Sequence, residues 1–139
     1  MITIALPMTP PSPYDGATSP RYAQGGGAFM TGPVILVRDW RQTEAALAAA
    51  RDAGQAPTLV TPENAASTYG AGYLAALQDR ARQEFPDVAF TLIADCGDAP
   101  GYALACLRAG VRLISMSEPN EKIADIARQM GAELVRRPA

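Results

Sequence analysis

A single α/β domain of repeated βα units, about five mostly parallel strands with flanking helices, is predicted by three features of this chain. From Pro33 onward, short runs of β-branched and aliphatic residues alternate with alanine-rich helical stretches. Four of those runs stop at a polar residue: 34–37 at Arg38 and Asp39, 58–60 at Thr61, 90–94 at Asp95, and 111–114 at Ser115 and Ser117. Glycines at 54, 110 and 131 fall where a helix needs a left-handed C-terminal cap. Two arrangements fit this pattern, an open doubly wound sheet and a half-barrel of consecutive βα units.

Residues 1–32 form a Pro/Gly-rich N-terminal arm, separate from the α/β domain of 33–139. Pro7, Pro10, Pro11, Pro13 and Pro20 cannot sustain a helix or a ladder, because proline lacks the backbone donor. The apolar Met8, Tyr14, Tyr22, Phe29 and Met30 give the arm a surface able to dock on a neighbouring subunit. Gly25-Gly26-Gly27 precedes no Gly-Lys-Ser/Thr, so it reads as a hinge and not as a phosphate loop.

The elements then follow in order: strand 34–38, helix 41–53, strand 57–61, helix 64–84, strand 88–95, helix 99–109, strand 111–116, helix 119–130, strand 133–136. The first helix presents Ala45, Ala46, Ala49, Ala50 and Ala53 as a small face. Helix 64–84 places Tyr69, Tyr73 or Leu74, Leu77 and Ala81 on a buried stripe, with Gln78, Asp79, Arg82 and Gln83 opposite. Helix 119–130 turns Ile123, Ile126, Ala127 and Met130 inward. Thr61 or Asn64, Asp98 and Ser117 are the expected N-caps.

Composition excludes much chemistry. The 139 residues contain no histidine, and Lys122, expected on an exposed helix side, is the only lysine. A Ser-His-Asp or Cys-His nucleophile and a His-ligated zinc are therefore impossible within this chain. A net charge of −2 offers no electrostatic case for nucleic acid or an anionic membrane. Cys96 and Cys106 are too few for a disulfide framework, which suggests free thiols and a cytoplasmic protein.

In parallel α/β sheets ligands bind at the carboxyl ends of the strands, so the strand-ending polar residues mark the expected site. Its centre is the stretch 95–101. Asp95 and Cys96 are the catalytic candidates, as general base and thiolate nucleophile. Asp95, Gly97, Asp98, Ser115 and Ser117 are the ligand-binding candidates, since backbone donors at a helix start favour anions. Asp39, Glu63, Asp95, Asp98 and Glu118 could hold Mg²⁺ only if their loops converge, which their spacing does not force, so no metal is assigned. Gly70-Ala71-Gly72-Tyr73-Leu74-Ala75 fits the loose dinucleotide pattern but lies inside a helical stretch well past Val60, so no cofactor follows from it.

The stretch 103–114 resembles the helix–glycine–strand step of β/α-barrel enzymes, aldolase-type ones included. The catalytic strand lysine of such aldolases has no counterpart here. The resemblance implies a style of βα unit and not a family.

Three functions remain open. The first is a small module binding an anionic metabolite at its strand ends; the lack of groups titrating near neutrality favours it. The second is a lyase or isomerase using Asp95 or Cys96, Mg²⁺-assisted in one version. The third is an oligomeric scaffold without a small ligand. A homodimer, with the arm contributing, is the expected assembly.

Overall fold

The computed structural model describes residues 32–138. The expectations for the arm, Gly32 apart, lie outside these residues. The described chain forms one sheet of five parallel strands with five helices. In chain order these are β1 (Val34–Leu36), α1 (Trp40–Ala53), β2 (Thr58–Val60), α2 (Ala65–Tyr69), α3 (Ala71–Glu84), β3 (Thr91–Asp95), α4 (Pro100–Ala109), β4 (Leu113–Ser115), α5 (Glu121–Gln129) and β5 (Glu133–Val135).

The strand order is β1-β2-β3-β4-β5, every neighbouring pair parallel. Each strand therefore pairs with the one before it, and nowhere does the order reverse as it does in a doubly wound sheet. Of the two arrangements the sequence allows, the connectivity is that of consecutive βα units. Right-handed crossovers in one direction place the described helices on one face, and the packing agrees. Leu59 and Leu92 pack with Ala46, Leu47, Ala50 and Ala81 of α1 and α3. Ala94 and Ile114 pack with Leu74, Ala75, Ala103, Cys106, Leu107, Ile123 and Ala127 of α3 to α5. The alternate strand residues Val60, Ile93, Leu113 and Val135 form a separate cluster on the second face, and that cluster contains no helical residue.

Helices α1 and α4 close in the same way. Gln55 N–H donates to the Ala50 carbonyl at 2.9 Å and Val111 N–H to the Cys106 carbonyl at 3.0 Å, across Gly54 and Gly110. Gly110 has φ 102°, a conformation that a Cβ would oppose.

Several local expectations are corrected. Helix 64–84 breaks at Gly70, φ 94° and ψ 149°, into α2 and α3. The glycine-rich stretch is thus a helix–helix junction, and not helix interior. Gln78, spaced i+4 from Leu74 and i−3 from Ala81, is buried beside Leu74, Leu77 and Ala81, while Tyr69 and Tyr73 are exposed. The two tyrosines stack at 5.5 Å, and the Tyr73 hydroxyl donates to the Arg38 carbonyl at 3.0 Å. Gln78 Nε2 donates to the Gly110 carbonyl at 2.9 Å, and its Oε1 accepts from Arg112 N–H at 3.0 Å. This amide satisfies the backbone just before β4, which explains why the strand starts at Leu113 and not at 111. Met130, expected inward, lies at the C-cap of α5 and is exposed. Of the small face on α1, Ala46 and Ala50 are buried.

The helix caps also differ. Asp39 caps α1, its Oδ1 accepting from Gln42 N–H at 2.8 Å, and Asn120 caps α5 through Ile123 N–H at 3.0 Å. Asn64 stands at the N-cap position of α2 without a capping side-chain bond, and Ala99 holds that position in α4. Asp98 and Ser117, expected as caps, are left to another surface.

Candidate functional site

The register of β3 with β4 sets Asp95 directly beside Ser115. In a parallel pair, in-register side chains point to the same face about 4.8 Å apart, and here they bond. Ser115 Oγ donates to Asp95 Oδ1 at 2.7 Å. The other carboxylate oxygen, Oδ2, accepts from Asn64 N–H at 2.7 Å and from Gly97 N–H at 3.1 Å. Asp95 N–H in turn donates to Thr61 Oγ1 at 2.9 Å. One buried carboxylate thus ties together the ends of β2, β3 and β4. Two main-chain amides and a hydroxyl stabilise its charge, as multiple donors do for a carboxylate.

This clasp shapes the loops above it. Gly97 adopts φ 61°, and a Cβ there would collide with the Asn64 side chain. The close approach brings the loop after β2 against the loop after β3. Ser117 N–H donates to the Gly97 carbonyl at 2.9 Å, adding the loop after β4. From the tail after the edge strand β5, Arg137 reaches the Thr61 carbonyl with Nη2 at 2.7 Å.

Between these loops lies a cleft of about 520 Å³, lined by Glu63, Asn64, Asp95, Gly97, Asp98, Met116, Ser117, Arg136 and Arg137. That volume suits a metabolite-sized ligand. Segments following four consecutive strands contribute, at the carboxyl ends where such folds bind ligands. Of the sequence-derived candidates, Asp95, Gly97, Asp98 and Ser117 line the cleft, while Ser115 is buried beneath it as the partner of Asp95.

Cys96 is placed elsewhere. Strand alternation turns it to the helical face, where it is 2% exposed in the cluster containing Cys106 and Ala103. A hydrogen bond with Cys106 pushes its thiol pKa far up; burial and the nearby Asp95 charge act in the same direction. The solvent-facing thiolate expected from its position before a helix is not what the fold produces. The five acidic residues considered as oxygen ligands also part company. Glu63, Asp95 and Asp98 line the cleft, Asp39 caps α1, and Glu118 lies outside the lining. Among the described residues no three acidic, cysteine or histidine side chains come together as a metal-holding group.

Arg136 and Arg137 are not among the residues the sequence analysis points to, although 133–135 runs directly into this pair just as four other apolar runs stop at polar residues. Met116 has no comparable signal, because an apolar residue after a strand reads as core.

No protein-family model matches the chain, and no curated protein matches it closely enough to be a relative. Among the described residues no helix is long and apolar enough to cross a membrane.

Proposed function

We propose that this domain binds a small anionic ligand in the cleft at the carboxyl ends of its strands. The observation that carries this reading is the presence of Arg136 and Arg137 in a metabolite-sized cleft. The hold of Arg137 on the Thr61 carbonyl fixes one guanidinium in advance, and planar guanidinium forks suit carboxylate and phosphate groups. The hydroxyl of Ser117 lines the same space.

A lyase or isomerase based on Asp95 or Cys96 finds less support. Both carboxylate oxygens of Asp95 already accept bonds from within the fold, and the Cys96 thiol lies in the core. A general base needs an oxygen within reach of the substrate's proton.

Thermal unfolding of the full-length protein against inorganic phosphate, mono- and dicarboxylates tests the proposal. An anion at 100 times its dissociation constant adds about 2.7 kcal/mol of stability. Arg136→Gln removes a side chain that holds no part of the fold among the described residues, so it should weaken the anion and leave the unliganded midpoint in place. If no anion stabilises the protein, or if Arg136→Gln responds as the wild type does, the cleft is not an anion site.

A further inference from the structure

The charges around the cleft carry information about what kind of anion it accepts. Three carboxylates (Glu63, Asp95, Asp98) and two guanidiniums line it. Asp95 is answered within the fold by Asn64 N–H, Gly97 N–H and the Ser115 hydroxyl. That leaves Glu63 and Asp98, from the loops after β2 and β3, and Arg136 and Arg137, from the tail after β5, lining one cleft.

These four side chains are not paired with each other. The ion pairs among the described residues are Arg51–Asp87, Arg80–Glu84 and Arg128–Asp125, none of which touches the cleft. Opposite charges lining one cleft are thus held beyond ion-pair distance. Glu63, Asp98 and Arg136 are exposed, and no bond to the described fold claims their side chains. Left alone, such groups are satisfied by water. A small ligand bearing both signs would replace that water at both kinds of group, with each charge meeting its complement.

We infer that the cleft selects a zwitterion, a small molecule whose carboxylate or phosphate faces Arg136 and Arg137 while its ammonium group faces Glu63 and Asp98. This rests on the anion-binding reading and narrows it. An ammonium donates in three directions and so can be shared between two carboxylates. Ser117, on the loop after β4, lines the same cleft and offers a hydroxyl to either group.

The test titrates full-length protein, followed by calorimetry, with matched probes: L-alanine against propionate, and phosphoethanolamine against inorganic phosphate. At least one zwitterion should bind at least tenfold more tightly than its partner lacking the amine. In the double variant Glu63→Gln/Asp98→Asn that preference should disappear while anion binding remains, with an unchanged unfolding midpoint to show that the fold is intact. Equal or tighter binding of propionate and phosphate in the wild type would overturn the zwitterion inference alone. So would a double variant that keeps the tenfold preference. Absence of binding by all four probes would overturn the anion site itself, and this inference with it.

Discussion

Asp95 has two oxygens and three donors, and each donor comes from a different segment. Asp95→Asn should therefore cost roughly 2–3 kcal/mol in urea unfolding, the usual range for hydrogen bonds to a buried charge. Ser115→Ala removes one of the three donors and should cost about 1 kcal/mol. If Asp95→Asn unfolds at the wild-type urea concentration, the carboxylate is no clasp. Cys96 yields a pH prediction. Its thiol pKa is raised by the bond to Cys106, then by burial, then by neighbouring charge, so the folded protein keeps a proton that the unfolded chain releases above about pH 8.5. The stability tied to this proton is fully present below that pH and is lost as pH rises beyond it. Unfolding free energy measured from pH 7 to 10 should fall at the alkaline end, and more gently in the double variant Cys96→Ala/Cys106→Ala, since burial alone raises the Cys106 thiol once its partner is gone. Identical slopes for the two proteins would show that the thiol pair does not control the loss.

At the scale of elements, Gln78 shows best where the sequence could and could not be read. A glutamine among Asp79, Arg80 and Arg82 reads as polar surface by residue type. Its position, four residues after Leu74 and three before Ala81, puts it on the buried stripe of α3, at 1% exposure. Periodicity gives that face; residue type does not reveal the Gly110 carbonyl and Arg112 amide that satisfy the side chain there. Gln78→Leu keeps the volume similar but leaves the Gly110 carbonyl and the Arg112 amide without their partner, and should destabilise by roughly 2–3 kcal/mol. A neutral result would mean water replaces the amide. By contrast, the five strands and their polar ends were legible, because runs such as 58–60 and 91–95 are too apolar to lie anywhere but between covered faces. The cleft was half legible. Asp95, Gly97, Asp98 and Ser117 follow directly from strand ends, whereas the role of Ser115 depends on register and that of Arg137 on a contact with Thr61, a residue far away in the chain. Neither is a local property.

The whole molecule carries its described helices on one face of the sheet. At the β1 edge, Val34 and Leu36 are 45% and 41% exposed on the side away from those helices. Among the described residues β1 pairs with β2 alone, and an edge strand next to half-exposed aliphatic side chains is a template for association. The full-length chain is expected to self-associate through this edge, most simply as a homodimer. Light scattering at micromolar concentration should report twice the mass of 14.6 kDa, and Leu36→Lys should shift the population toward single chains. A wild-type protein that scatters as a single chain would remove this expectation.

Sequential strand order also bears on how the molecule is made. Each βα unit rests on the unit synthesised just before it, so the sheet can grow from β1 toward β5 without waiting for any distant strand. Such short-range connectivity favours rapid, stepwise assembly during translation, N-terminal units first. The cleft is the exception. Asp95 can lock β2, β3 and β4 together once residue 115 is free of the ribosome, but Arg137 reaches back across 76 positions to Thr61. A nascent chain lacking 136–137 would thus hold most of its sheet while its basic side was still missing, and ligand could bind only once the last strand and its two arginines had emerged.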